Sequence, residues 1–385
     1  MKIAMVYDAI YPWVKGGGEK RIYELSKRLV SQGHEVHLFG VKWWSGPDVI
    51  ENEGMILHGV CGKMELYVDG RRSISEAIIF SIRLIPHLME DKYDIVDVTA
   101  FPYFSCLSTK LVSMIKGTPM VITWHEVWGD YWYKYMGKFG FFGKTIEYVA
   151  SKVGHKSIVV SRMTENNLEL LGVGNENIRV IPNGVDLRRI SSIKPSDSKC
   201  DIIFVGRLIK EKNVDVLIEA ICLVKKNFPD VQCHIIGGGP EKGRLIELII
   251  KYGLLGKVKF FDFMEYDEVI ARIKSSKMLI LPSSREGFGM VVMEAFACGV
   301  PVVTVKEERN AAAELVNERT GFVVELKLCQ LNHAINVLMG MTDDTREKMS
   351  KSAVEKASVY DWDTIAEHLI HFYSGVDENR TRSKS

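Results

Sequence analysis

The sequence has no long uninterrupted apolar run and no excess of charge of one sign. Its first apolar stretch ends at Asp8, too early for a signal peptide, and no later run approaches the length of a membrane span. The 50 lysines and arginines nearly balance the 49 aspartates and glutamates, and the formal net charge of +1 gives no overall field that would attract nucleic acid or an anionic membrane. We therefore expect any basic surface to be local, and we expect no nucleic-acid partner.

Cysteine is sparse, and its arrangement argues against two kinds of site. The seven cysteines include no Cys-x-x-Cys and no metal-like Cys/His spacing, and their odd number argues against a disulfide framework. A reducing cytoplasm is the simplest setting for such a chain. We expect a cytoplasmic protein that is soluble or, at most, attached to the inner face of a membrane.

Strand-like and helix-like segments alternate along most of the 385 residues, which is typical of parallel sheets covered by helices on both faces. In the first half, strands are predicted at 2–7, 34–40, 94–98, 119–124, 156–160 and 178–181, and helices at 19–32 and 73–90. A second alternation begins at Asp201. The sequence therefore predicts an α/β fold with two Rossmann-like domains facing a central cleft.

Polar, aperiodic segments mark the expected boundaries of these domains. Residues 191–199 are polar and contain a proline, and the end of the chain is polar as well. The predicted parts are a first domain, a linker, a second domain, a last helix and a disordered tail, at 1–185, 186–199, 200–358, 359–375 and 376–385.

Two carboxylates stand in one otherwise uncharged turn-and-helix unit. The apolar run 277–283 predicts a buried strand, and residues 290–298 predict a mostly apolar helix. Glu286 then lies at the carboxyl end of a strand, where open α/β sheets bind ligands and where the first N–H groups of the helix favour an anion. Glu294, inside the apolar helix, needs a polar partner. A pair of sugar hydroxyls would serve, and the alternative is that Glu294 caps a neighbouring backbone.

The spacing of these glutamates resembles the E-x7-E element of retaining, nucleotide-sugar-dependent glycosyltransferases of the GT-B fold, family 4 type, also called glycosyl transferases group 1. Residues 205–220 are similar to the first strand, loop and helix of that family's donor domain, 235–241 to its second glycine-rich turn, and 181–186 to its inter-domain junction. The resemblance implies an acceptor-binding first domain, a nucleotide-sugar-binding second domain, and a last helix that crosses back to the first domain.

Two cations flank the loop after the first strand of the second domain. Arg207 can bind phosphate oxygens in a fork, and Lys212 supplies a compact point charge. From the local sequence alone, both could instead be solvated charges, with Glu211 neutralising one. The resemblance assigns both to the diphosphate of the donor, and it assigns donor binding to the backbone of Gly238 and to the N–H groups of the segment Phe288, Gly289 and Met290.

In the first domain, the candidate residues are a glycine-rich turn and a histidine. Gly16, Gly17 and Gly18 follow the first strand and open a helix, an arrangement that allows a phosphate to approach but that is also common in flexible surface loops. His125 follows the strand 119–124, and a lone histidine is more often structural. The resemblance places the turn near the donor phosphates and the acceptor, and His125 near the transferred sugar.

Two other patterns have competing interpretations. Asp361 and Asp363 form a D-x-D, but they precede a predicted helix, so we interpret them as helix-start residues rather than metal ligands. Residues 131–156 interleave aromatics with lysines, which is either core packing or a surface for lipid headgroups. Asp262 stands where many family members have glycine, which leaves the nucleotide base open.

The combined prediction is a retaining, metal-independent glycosyltransferase without a cofactor. It would move a sugar from a nucleoside-diphosphate sugar to an acceptor hydroxyl on a glycan or a lipid-linked molecule. Glu286 would hold the donor sugar, Glu294 the ribose, and Arg207 and Lys212 the diphosphate. Two alternatives stay open: a nucleotide-sugar 2-epimerase, which needs no acceptor, and a non-catalytic sugar-nucleotide binding module.

Overall fold

Each half of the chain forms its own mainly parallel sheet covered by helices. The computed structural model describes residues 1–68 and 71–384, with the backbone alone for 67, 68, 71 and 377–384. Contacts divide the chain into two units: unit 1 is Met1–Asn183 with Trp362–Ser385, and unit 2 is Gly184–Asp361.

Unit 1 contains an eight-stranded sheet within the described residues. Its strands, with the separate antiparallel pair β5 and β6, are β1 Lys2–Val6, β2 Glu35–Val41, β3 Val49–Asn52, β4 Met55–Cys61, β5 Tyr67–Val68, β6 Arg71–Arg72, β7 Ile95–Thr99, β8 Met120–Trp124, β9 Lys156–Val159 and β10 Ile178–Val180. The strand order is β10-β9-β8-β7-β1-β2-β4-β3, and β3 alone in this sheet runs antiparallel to its neighbour. All six strands predicted for this half are confirmed.

The helices of unit 1 fill the connections between the strands. They are α1 Gly17–Ser31, α2 Ile74–Met89, α3 Phe104–Lys116, α4 Tyr131–Met136, α5 Gly140–Val153 and α6 Arg162–Leu170. α2 packs beside α3, and α3 beside α5, so these three helices form one layer. Both helices predicted for this half, which correspond to α1 and α2, are confirmed.

Unit 2 contains a six-stranded parallel sheet of order β13-β12-β11-β14-β16-β18 within the described residues. Its strands, with the two-residue pair β15 and β17, are β11 Cys200–Val205, β12 Cys233–Ile236, β13 Val258–Phe261, β14 Ser276–Leu281, β15 Arg285–Glu286, β16 Val302–Val305, β17 Arg309–Asn310 and β18 Gly321–Val324. The strand order reverses between β11 and β14. Ligands of open α/β sheets bind beyond the carboxyl ends of the strands at such a switch point.

The helices of unit 2 are α7 Leu187–Ser192, α8 Val214–Val224, α9 Lys242–Lys251, α10 Tyr266–Lys274, α11 Met290–Ala297, α12 Leu328–Met339 and α13 Asp343–Ser358. The last helix, α14 Trp362–Lys384, belongs to unit 1, where it packs on α1. Tyr373 of α14 is fully buried, and its hydroxyl donates a hydrogen bond to Asp97 of β7.

The predicted linker at 186–199 differs from the structure. Asp186 caps α7 by accepting a hydrogen bond from the Arg189 N–H at 2.9 Å, and Ile190 is fully buried. Farther along, the Ser196 N–H donates to the Ala271 carbonyl of α10 at 2.9 Å. The segment is therefore packed on unit 2. Its polar composition gave no sign of these contacts, because they are made by the backbone, by one short cap and by the single buried side chain of Ile190.

The predicted disordered tail at 376–385 also differs from the structure, in which α14 continues to Lys384. Ser385 lies outside the described residues. The sequence after Gly375 contains no proline, and it includes glutamate, arginine and lysine, which have favourable helix propensity. Polar composition alone therefore did not mark a helix end there.

Candidate active site

The loops after β11 and β14 are joined at the switch point of unit 2. The Ser284 N–H donates to the Glu211 carbonyl at 2.8 Å, and the Asn213 side chain donates to the Pro282 carbonyl at 2.9 Å. Asn213 has a left-handed backbone with φ of 48°, which asparagine tolerates better than most residues. The two loops therefore present their side chains at one edge of the sheet.

Lys212 and Glu286, predicted separately from two loops, form an ion pair at this edge. The Lys212 ammonium donates a hydrogen bond to Glu286 Oε1, and the two side chains are only 16% and 14% exposed. Glu286 lies in β15, opposite Asn310 of β17. Asn310 is buried, donates to the Val305 carbonyl at 2.7 Å and accepts from the Ala312 N–H at 3.2 Å. A fixed backbone therefore positions the Glu286 carboxylate.

Helix α11 begins beside this ion pair. Its N-cap is Gly289, with φ of 95°, and a Cβ added there would lie 2.7 Å from the Ala312 Cβ. Because glycine has no side chain to accept a hydrogen bond, the first N–H groups of α11 are not capped by their own N-cap residue, and they can bind an anion. The Phe288 ring is buried near Tyr360, with ring centroids 5.9 Å apart, and its backbone precedes Met290 at the helix start. Glu294 follows inside α11 and is half-buried.

Arg207 lies just beyond the carboxyl end of β11 and is exposed. Its loop packs on the second glycine-rich turn, since the Leu208 N–H donates to the Gly238 carbonyl at 2.8 Å. A Cβ added to Gly237 would come within 2.0 Å of the Gly206 carbonyl oxygen. Close backbone approach is thus sufficient to explain this glycine, and it also fixes the position of the loop that carries Arg207.

An exposed aromatic ring near Gly238 was missed by the sequence interpretation. Phe263 is 69% exposed, and a Cβ added to Gly238 would lie 3.2 Å from its ring. Its neighbour Asp262, the departure from the family pattern, forms an ion pair with Lys242 at the start of α9. The signal available in the sequence was a phenylalanine directly after Asp262, in the segment expected to contact the nucleotide base, because aromatic rings stack on bases.

In unit 1, His125 and Gly18 lie together beyond the carboxyl end of β8. A Cβ added to Gly18 would be 3.3 Å from His125 Nε2, a buried atom that has no hydrogen-bond partner within the described part of the chain. Burial, and secondarily the charge of Arg21, lower the pKa of His125 to about 3. The imidazole is therefore neutral at physiological pH.

The glycine turn before α1 is already occupied by a carboxylate. Gly16 is the N-cap of α1 and Gly17 is its first residue. A Cβ added to Gly16 would come within 2.4 Å of Glu19 Oε2, so the Glu19 side chain folds back over the helix start. An anion binding at this turn would first have to displace Glu19. The turn is thus a weaker phosphate site than the start of α11.

Arg21 is a buried cation that sequence interpretation missed. It is 2% exposed and donates to the carbonyl of Pro182 at 2.5 Å and to Asn183 Oδ1 at 3.0 Å. Its Nη2 atom is buried and lacks a hydrogen-bond partner among the described residues. Burial lowers its pKa to about 10, while the charge of Asp97 opposes this effect. The available signal was an arginine on the inward stripe of an amphipathic helix.

The remaining predicted features have protein partners. Asp361 accepts from the Leu187 N–H at 3.4 Å, and Asp363 pairs with Arg28 at 2.6 Å. Across residues 1–68 and 71–384, no group of three His, Cys, Asp or Glu side chains is arranged to hold a metal ion. In the same residues, no helix is both long and apolar enough to cross a membrane. All seven cysteines are unpaired.

The aromatic and lysine stretch at 131–156 forms α4, a short 3-10 helix and α5, and its side chains divide between core and surface. Trp132 is buried in the core of unit 1, which agrees with core packing. Phe139, Phe141 and Phe142 are instead 67%, 57% and 64% exposed.

Two protein-family models match consecutive parts of the chain. Residues 15–189 match the model "Glycosyltransferase Family 4", and residues 188–356 match "Glycosyl transferases group 1". A phosphatidylinositol N-acetylglucosaminyltransferase subunit from Arabidopsis thaliana is 22% identical over 394 residues, which cover 100% of this chain and 84% of that relative. Glycogen synthase from Mycobacterium tuberculosis is 27% identical over 214 residues, which cover 55% of this chain and 51% of that relative. The chain thus spans about half the length of that synthase.

Solved structures share the fold. Sucrose-phosphate synthase from Thermosynechococcus elongatus superimposes with a TM-score of 0.81 at 19% identity, covering 97% of this chain and 98% of that one. HepE from Anabaena, solved in complex with UDP, gives a TM-score of 0.75 at 20% identity, covering 97% and 100%. The family matches confirm the resemblance found in the sequence. The chain belongs to the group 1 glycosyltransferases and has their GT-B fold.

Proposed function

We propose that this protein is a retaining glycosyltransferase that moves a sugar from a nucleoside-diphosphate sugar to an acceptor hydroxyl. The observation that carries the proposal is the partly buried ion pair of Lys212 and Glu286 at the switch point of unit 2, beside the start of α11, whose N-cap Gly289 provides no side-chain cap. A cation and helix N–H groups suit a diphosphate, while a carboxylate suits sugar hydroxyls.

The donor would be divided among these groups. Arg207, Lys212 and the N–H groups of residues 288–290 would hold the diphosphate, Glu286 the sugar hydroxyls and Glu294 the ribose hydroxyls. HepE, which shares the fold, was solved with UDP and with UDP-glucose, and this makes UDP-sugars the first donors to test. The base would stack on Phe263, whose ring is exposed near Gly238.

The proposed reaction needs no side-chain base. The bond between the anomeric carbon and the donor phosphate oxygen breaks, and the acceptor oxygen bonds to the same face of that carbon. The acceptor proton passes to the leaving phosphate. Arg207, Lys212 and the N–H groups at the start of α11 would stabilise the charge that develops on this phosphate. Because the protein itself supplies this positive charge, we propose that transfer is independent of added metal.

Unit 1 would bind the acceptor. His125, neutral because of its burial, can donate or accept one hydrogen bond without adding a charge near the transferred sugar. The relative from Arabidopsis is named for transfer to phosphatidylinositol, and this favours a lipid-linked acceptor over a soluble glycan. We therefore propose a cytoplasmic protein with peripheral membrane contact.

The test is a thermal-shift screen of nucleoside-diphosphate sugars, followed by transfer assays with the donor that binds. A ligand at a hundredfold its dissociation constant adds roughly 2.7 kcal/mol of stability. We expect an α-linked product from an α-linked donor, by NMR, and unchanged transfer in EDTA. A β-linked product would refute retention, and activity that is lost in EDTA and restored by manganese would refute metal independence. Turnover without acceptor would identify a 2-epimerase, and binding without any turnover a non-catalytic module.

A further inference from the structure

One helix layer of unit 1 exposes apolar side chains along its outer surface. The layer is α2, α3 and α5, whose inner sides contribute Phe80, Val112 and Ala150 to the core. We define the apolar face by six of the outward side chains of these helices: Ile78, Ile82, Met114, Ile115, Phe141 and Phe142.

These side chains follow helical spacing on the outward side. On α2, Ile74, Ile78 and Ile82 stand four residues apart, and Ile82 is 62% exposed. On α3, Met114 is 69% exposed, and on α5 Phe142 is 64% exposed. An apolar stripe at this spacing normally faces a core. In each of these helices another set of apolar residues already faces the core, so the helix is apolar on two sides.

Single exposed apolar residues are ordinary on soluble proteins, but a group on three neighbouring helices is not. Contiguous apolar patches larger than a few hundred Å² generally mark sites that contact a protein, a ligand or a membrane.

The charges on the same three helices are of one sign at the surface. Their carboxylates, Glu76 and Glu147, are 1% and 0% exposed. Their basic residues are Arg83, Lys110, Lys116, Lys144 and Lys152. Of these, Arg83 and Lys152 are exposed, Lys110 and Lys116 are half-buried, and Lys144 is 43% exposed and pairs with Asp130.

The combination of apolar and basic groups indicates which kind of partner would bind the apolar face. Two copies meeting through the same face would bring lysines against lysines, since a two-fold interface is self-complementary. An anionic bilayer offers hydrocarbon for the isoleucines and phenylalanines, and phosphate headgroups for the lysines. We propose that the apolar face docks unit 1 on an anionic membrane surface. That the acceptor is then taken from this membrane rests on the proposed function; the docking itself does not.

A buried carboxylate connects this face to the candidate site of unit 1. Glu147 of α5 accepts from the N–H groups of Trp128 and Gly129 at 2.7 and 2.8 Å, and from the Tyr103 hydroxyl at 2.6 Å. Trp128 lies three residues after His125. Docking through α5 would therefore hold the loop that carries His125 at a fixed position relative to the bilayer.

The test is flotation of the purified full chain with vesicles of phosphatidylcholine alone or mixed with phosphatidylglycerol, at low and high salt. The apolar variant combines Ile82→Ser, Met114→Ser and Phe142→Ser, and its control combines Ile246→Ser, Ile250→Ser and Leu255→Ser, which alter exposed apolar residues of unit 2. The basic variant combines Lys110→Glu and Lys116→Glu, with Lys348→Glu and Lys351→Glu as its control.

We expect binding of the wild type to mixed vesicles only, weakened by salt. The partition coefficient onto mixed vesicles should fall at least about tenfold in the apolar variant and about fivefold or more per lysine in the basic variant. Both controls should bind like the wild type. Thermal shift by UDP should be the same in all five proteins, which separates a failure of docking from a failure of the donor site.

Three results would overturn the proposal. The first is a wild type that stays unbound with mixed vesicles at low salt. The second is an apolar variant that floats as well as its control. The third is a wild-type dimer, measured by light scattering, that the apolar variant converts to monomer, because the face would then be an interface between copies.

Discussion

Replacing Glu286 by glutamine should change nucleotide binding and sugar transfer in opposite directions. In the structure the Lys212 ammonium is bound to Glu286, so a diphosphate can engage Lys212 only by weakening that ion pair. Glu286→Gln removes the competing charge and keeps the side-chain shape. We expect UDP to bind this variant more tightly than the wild type, and transfer from a UDP-sugar to become slower.

The magnitude follows from the partial burial of the pair. Two unit charges roughly 3 Å apart attract by about 5 kcal/mol at an effective dielectric constant of about 20. Because the partners are still 16% and 14% exposed, and because each loses hydration in forming the pair, the net coupling should be on the order of 1–2 kcal/mol. If the diphosphate takes over Lys212 fully, UDP affinity should rise about 5- to 30-fold in Glu286→Gln.

The assay is calorimetric titration of UDP into four proteins: the wild type, Glu286→Gln, Lys212→Met and the double variant. Lys212→Met should weaken UDP binding, because it removes a cation and leaves the Glu286 carboxylate unpaired, and adding Glu286→Gln should then recover only the part of the loss that is due to this repulsion. Arg207→Ala is the matched control: it should weaken UDP binding, and the gain from Glu286→Gln should persist in its background. Equal or weaker UDP binding by Glu286→Gln, with the variant folded, would refute the competition between carboxylate and diphosphate.

Three further predictions follow from the same structure. Glu294→Gln should raise the KM for donor with little change in kcat, as expected for a ribose contact; unchanged kinetics over a range of donor concentrations would exclude that role. Phe263→Ala should weaken UDP by about 1–3 kcal/mol if the base stacks there, while the affinity for inorganic pyrophosphate stays constant. The pKa of His125 is lowered to about 3 in the folded state, against about 6.5 in the unfolded state, so its contribution to stability is complete above pH 6.5 and is lost as the pH falls from about 6.5 toward 3. His125→Asn should therefore flatten the fall of the unfolding free energy between about pH 6.5 and 4.

The parts of the site that could be predicted from sequence are those fixed by local pattern. The buried run before Glu286 and the apolar helix that contains Glu294 have their own periodicity, and the strand–turn–helix unit that they form was predicted correctly. The sequence places Gly237 in a glycine-rich turn and Gly289 directly before the helix, and the structure agrees with both. Their strict requirement comes from contacts with Gly206 and Ala312, which lie far away in the sequence.

The parts that were missed depend on tertiary contacts. Arg21 is one inward residue of an amphipathic helix, and its partner carbonyl on Pro182 is 161 residues away. The exposure of the outward isoleucines of α2 could not be predicted either, because a stripe of apolar residues at helical spacing predicts a core-facing side in any sequence. Only the packing shows that α2 already has another apolar stripe facing the sheet, which leaves Ile78 and Ile82 at the surface.

The sequence could identify Lys212 and Glu286 as candidate residues, but it could not show that their side chains form an ion pair with each other. This pairing has a consequence for how the site would work. A lone carboxylate at this position would repel an incoming diphosphate, whereas a carboxylate already neutralised by Lys212 does so less. Once the diphosphate attracts Lys212, the charge on Glu286 becomes available to sugar hydroxyls at the time the sugar arrives. The ion pair would thus reduce the repulsion of the incoming nucleotide and keep the Glu286 charge neutralised until the diphosphate binds Lys212. Both effects require Lys212 and Glu286 to lie on the two loops, after β11 and β14, that hydrogen bonds join.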